Sequence, residues 1–137
     1  MFFESEKKNR DDDIIKVAAL LIHAARIDQN FTSQEEEIVK KTLIEIDNNL
    51  DDVEKIITEA KKIEEKSNQI LDFTKEVKNM KHENKLKIVE ALWKIIYSNK
   101  NADIYETNLM RRLAGLLYID SKIMGNIKNK IIKENLK

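Results

Sequence analysis

Oxygen-bearing side chains alternate twice along this chain. Asp28, Asn30 and Thr32 are followed by Glu35; 71 positions later, Asn99, Asn101 and Asp103 are followed by Glu106. Hard divalent cations prefer carboxylate, amide, hydroxyl and carbonyl oxygens. Alternation at the first, third and fifth positions is how a tight loop aims successive side chains at one ion. These eight residues are therefore candidate ligands for calcium, magnesium or manganese. They are not EF-hands, because the twelve-residue loop with its sixth-position glycine and twelfth-position glutamate is missing. The same residues also have a structural use. Thr32 with Glu35, and Asp103 with Glu106, each read as a capping box at a helix start. Asp28 and Asn99 can hydrogen-bond their own loop backbone. The two uses are compatible, since a capping carboxylate has a second oxygen.

Other chemistry finds little support. His23 and His82 lie on separate segments, without a paired ligand at helical spacing. His23 reads as a tolerated helix histidine. No Ser-His-Asp order, phosphate loop or HExxH motif is present. Glu35 and Glu106 could form an acid–base pair in principle, but nothing supplies a nucleophile or an apolar pocket to raise a pKa. The expectation is a protein that is not an enzyme.

The flanks of the two polar segments repeat at the same offset. Leu21 matches Leu92, Ile22 matches Trp93, Ile38 matches Leu109, and Lys40 and Lys41 match Arg111 and Arg112. Each copy reads as an apolar helix, a polar loop and an amphipathic helix. The hydrophobic pattern predicts an all-α fold of about seven helices, over 12–27, 33–47, 50–66, 69–80, 83–98, 104–118 and from after Asp120 to about Glu134. Asp11–Asp13 would place negative charge at the positive end of the first helix. The first and fifth helices are apolar almost all round, which predicts burial on most sides. The economical arrangement sets them together at the centre, related by a pseudo-twofold axis that brings the loops into comparable positions. Gly115, inside the sixth helix, suggests a close helix–helix approach.

At 137 residues, one domain spanning 1–137 is expected, with repeat halves at about 12–47 and 83–118. The absence of Pro and the presence of only two Gly leave too few turn residues for an all-β fold. Cysteine is absent, which excludes disulfides and thiolate-bound metals. No apolar run is long enough to span a membrane, and the first residues lack a signal-peptide pattern, so a cytoplasmic protein is expected. Phe2 and Phe3 are expected to cover the edge of the core. Formal net charge is zero but uneven: residues 28–65 hold twelve acidic and five basic side chains, and residues 111–137 hold two and seven. The acidic stretch disfavours nucleic acid, and the basic tail reads as a solvated helix face. The expected partner is another protein or a second copy; nothing supports peripheral membrane association.

Around the second loop the chain resembles the tellurite-resistance protein B-like (TerB-like) family. The resemblance is carried by Glu90-Ala91-Leu92-Trp93-Lys94-Ile95-Ile96-Tyr97-Ser98-Asn99-Lys100, Tyr105-Glu106 and Leu109-Met110-Arg111-Arg112-Leu113-Ala114-Gly115-Leu116-Leu117. A weaker version runs from Ala24-Ala25-Arg26-Ile27-Asp28 through Glu35. The resemblance implies an all-α fold around two central helices, a link to tellurite resistance and stress responses, and metal binding at the acidic loops. A related domain serves association in a membrane-anchored DnaJ-like co-chaperone, but this chain lacks a J-domain signature. The family's Asp-Gly is Asp28-Gln29 in the first loop and Asn99-Lys100 in the second. Losing both glycines removes the easiest route to positive φ, and Asn99 removes a charge, which favours the first loop as the cation site. The leading expectation is a non-catalytic binding or adaptor protein, with divalent-cation dependence an open element. The alternative is a purely structural dimerisation or docking domain that binds no metal.

Overall fold

The computed structural model describes the backbone of residues 2–26, 31–67, 70–98 and 104–135, with side chains over 12–26, 31–67, 70–98 and 108–134. Among the described residues there are seven helices and no strand: α1 (Phe2–Ala25), α2 (Ser33–Ile46), α3 (Val53–Lys66), α4 (Leu71–Val77), α5 (His82–Ser98), α6 (Ile104–Leu116) and α7 (Ser121–Asn135).

Helix α1 begins ten residues before the expected position 12. Asp11–Asp13 therefore lie inside the helix and not at its positive end. Periodicity could not reveal this first segment, because residues 4–13 are almost wholly polar and helix formers such as Glu and Lys leave no apolar stripe. From Ile14 onward the helix is buried on nearly every side, through Val17–Ile22, Ala24 and Ala25. Helix α5 is its counterpart, with Ile88, Val89, Ala91–Trp93, Ile95 and Ile96 buried. The two helices pack on each other, as their all-round apolarity requires.

Their surroundings differ. The principal neighbours of α1 are α3 and α4, whereas those of α5 are α2 and α7. The repeat thus survives in the central pair and where α3 packs on α1 as α7 packs on α5, and it is broken where α4 covers α1 but α2 covers α5. Helix α3 contributes Ile56, Ile57 and Ala60, and α4 contributes Phe73 and Val77. Helix α3 starts at Val53, because Asp52 accepts a hydrogen bond from the Lys55 N–H at 3.1 Å and fixes the N-cap. Phe2 and Phe3 lie outside the residues whose side chains are described.

Gly115 does not mark a close approach. It lies on the exposed face of α6, and a Cβ there would meet nothing within 4 Å. Its carbonyl instead helps to end the helix. The Tyr118 N–H donates to Gly115 O at 3.3 Å, and the Ile119 N–H donates to Ala114 O at 2.9 Å. This is a Schellman motif, which needs a left-handed residue at its turn. Tyr118 takes that place with φ of 56°, where glycine is the usual occupant.

Candidate functional site

The first polar loop leaves the end of α1 and enters α2 at Thr32, which has the extended backbone of an N-cap. Thr32 Oγ1 accepts a hydrogen bond from the Glu35 N–H at 3.1 Å. In return, the Thr32 N–H donates to Glu35 Oε1 at 2.9 Å. The capping box read from the sequence is therefore present, and it holds Glu35 at 1% exposure. The N–H groups at the start of α2 and the helix dipole favour a carboxylate there. Asp28 and Asn30, the other two candidates of this loop, lie outside the described residues.

Helix α3 braces both ends of the same connection. Arg26, just after α1, donates from Nη1 to Glu64 Oε2 at 2.8 Å. Lys61, one turn earlier on α3, reaches Glu36 Oε1 at 3.1 Å and sits 5.5 Å from the Phe31 ring centroid. His23 belongs to this brace. Its Nδ1 lies 3.4 Å from Glu64 Oε1, close enough for an ion pair but not aligned as a hydrogen bond, and its ring meets Phe73 at 5.9 Å. The bracing pair was missed in the sequence. Its signal is that Lys61 and Glu64 flank Ala60 and Ile57, so they sit at the edge of the buried stripe of α3 and must face a neighbour.

For the second loop, Asn99, Asn101 and Asp103 lie outside the described residues, as does the side chain of Glu106. The capping box expected at Asp103 and Glu106 falls there too. In α5, six residues before Asn99 in the chain, Trp93 is buried; its ring stacks on Tyr97 with centroids 5.9 Å apart, and Lys128 Nζ lies 5.4 Å from its centre.

Two polar arrangements had no sequence-based expectation. Asp12, Asp13 and Glu76 line a depression of about 310 Å³ between α1, α3 and α4, together with Ile15, Lys16 and Ile63. Burial pushes the Asp13 carboxyl above its ordinary range, and the negative charges of Glu76 and Asp12 push it the same way. Lys85 is buried on the core face of α5, where its Nζ donates to Lys78 O at 3.2 Å and Leu117 O at 3.0 Å. Those carbonyls belong to the ends of α4 and α6, so one ammonium group satisfies two helix C-termini. Among the described residues, no group of three or more His, Cys, Asp or Glu side chains is arranged to hold a metal ion. No helix among the described residues is long and apolar enough to cross a membrane.

A family model described as tellurite resistance protein TerB matches residues 14–129. The chain belongs to the TerB family. The match spans both polar loops, the whole of α5 and the part of α1 from Ile14 onward, where that helix enters the core. No curated protein and no solved structure matches the chain. Within this TerB chain, the described half of the first loop is engaged in capping. A cation ligand set there would have to be completed by Asp28 and Asn30.

Proposed function

We propose that this TerB chain is a non-catalytic adaptor that acts by binding another protein in the cytoplasm, as a component of a tellurite or other stress response. One observation carries the reading. Thr32 and Glu35, the first-loop residues whose side chains are described, are bonded to each other across the start of α2. The protein itself orders that end of the loop, with no ion required to hold it. Nearby charged groups also work as braces, Arg26 with Glu64 and Lys61 with Glu36.

A second reading makes the adaptor cation-dependent. It draws on the same bracing, because a connection fastened to α3 near both ends loses less entropy when an ion orders its middle. Asp28 and Asn30 would supply the added oxygens, while Thr32 and Glu35 hold the loop's end in place.

Elemental analysis after purification without chelator, followed by thermal melting with calcium, magnesium and manganese, separates the two. A metal-independent adaptor carries no stoichiometric metal and melts at the same temperature with each ion at millimolar concentration. The cation-dependent form melts higher with its ion, because binding to the folded state stabilises it. Asp28→Ala should then remove most of that shift, and Asn99→Ala less.

A further inference from the structure

We infer that the groove between α4 and the end of α6 is a docking site for an acidic peptide segment that presents one large apolar side chain. This inference rests on the adaptor reading and gives the partner its chemistry. The groove is an open depression of about 330 Å³, and its lining includes Leu71 and Lys75 of α4 and Lys78 just after it, with Gly115, Leu116 and Tyr118 from α6 and its C-terminal turn.

Three observations point to this occupant. Leu71 and Tyr118 are 46% and 70% exposed, and they are two of the three large apolar side chains left exposed among the described residues. Both lie on this one groove, so the exposed apolar surface is gathered there. The second observation is charge. The lining includes two lysines and no carboxylate. None of the ion pairs between described residues involves Lys75 or Lys78. Arg112 is exposed one turn before Gly115 and Leu116, on the same face of α6. Asp120, the nearest acidic residue along the chain from Tyr118, accepts from the Lys122 N–H at 2.7 Å at the start of α7.

The third observation is the backbone of Tyr118. Its φ of 56° is a conformation that favours glycine, and its exposed ring contributes little to the core. The ring does meet Lys78, whose Nζ lies 5.8 Å from its centroid. Tyrosine and a paired cation at a rim are suited to grip an apolar side chain and its neighbouring carboxylate. Gly115 lines the groove without a side chain, and the space a Cβ would take there is open, so a peptide backbone can approach α6 closely. Carboxylates flanking the apolar residue would then meet Lys75, Lys78 and Arg112.

The test uses the full chain and a capped, fluorescein-labelled peptide of glutamates around one central phenylalanine, read by fluorescence anisotropy. Saturable binding is expected. Replacing the peptide's phenylalanine by serine should weaken it, and so should the double variant Lys75→Glu, Lys78→Glu, each by about tenfold or more. Tyr118→Gly should weaken binding while the melting temperature holds or rises, which separates loss of the site from loss of the fold. No binding, binding indifferent to the phenylalanine, or unchanged binding by the variants overturns the proposal. So does charge-reversal-sensitive adhesion to anionic lipid vesicles with no affinity for the peptide. The adaptor reading is judged separately, by affinity capture from cell extract with the wild type and the double variant. A partner retained equally by both removes the groove and leaves the adaptor reading in place.

Discussion

Thr32 and Glu35 exchange two hydrogen bonds at the start of α2, each from one residue's backbone N–H to the other's side chain, so truncating Thr32 removes the bond that its Oγ1 accepts from the Glu35 N–H. Thr32→Ala should therefore lower stability by about 0.5–2 kcal/mol, the range for losing an N-cap, measured by chemical denaturation without metal. Asp13 behaves in the opposite sense. Its carboxyl pKa is raised above 3.8 by burial first, then by Glu76 and Asp12. The folded protein thus holds this proton more tightly than the unfolded chain. The associated stability is fully present below the unfolded value and is lost as pH rises through the folded pKa. At neutral pH the charged group opposes folding, so Asp13→Asn should raise the denaturation midpoint there and flatten its dependence on pH in the acidic range. A variant with a lower midpoint at neutral pH would contradict this account. Tyr118→Gly removes a left-handed non-glycine residue, and the gain of roughly 1–2 kcal/mol is partly offset by the greater backbone freedom of glycine in the unfolded chain. A net stabilisation of up to about 1 kcal/mol is expected from the same measurement.

At the scale of elements, helix ends are where the sequence was most and least readable. The start of α2 was plain, because a threonine three residues before a glutamate can be recognised without knowing the fold. The end of α6 was not, because its left-handed residue is Tyr118 and the glycine that drew notice, Gly115, faces solvent. The beginning of α1 was hidden for another reason. A charged run carries helix propensity but no period, so only the apolar part from Ile14 onward could be placed. Lys85 was legible in principle. It precedes Ile88 and Val89 by three and four residues, which puts a charged residue on the core stripe of α5. Such a position demands a buried partner, and here the partners are the carbonyls of Lys78 and Leu117. Lys85→Met keeps the aliphatic stem but leaves both carbonyls without this donor. It should destabilise the protein by about 1–3 kcal/mol, with amide exchange rising first at the ends of α4 and α6. Uniform exchange across the chain would mean that the ammonium group does not join these helix ends.

Across the whole molecule, the two central helices are the part that the sequence described best, because apolarity on all sides admits no other placement. Their covering was legible only in part, since α3 packs on α1 as α7 packs on α5, whereas α4 completes the cover of α1 and α2 that of α5. That unequal covering still makes one continuous core. Buried side chains from α1 and α5 join Val39 and Leu43 of α2, Phe73 of α4, Met110 and Leu113 of α6, and Met124 and Ile131 of α7. No half of the repeat keeps its buried surface without the other, so unfolding should be a single cooperative event. Trp93 gives a local probe of this. It is buried in α5, beside Tyr97 and beneath Lys128 of α7, so its emission reports the second half of the chain. Far-ultraviolet circular dichroism reports all the helices together. In a denaturant titration the two signals should give the same midpoint and slope. If the tryptophan signal moved at a different denaturant concentration, the repeat halves would be unfolding separately, and the central pair would not bind the chain into one domain.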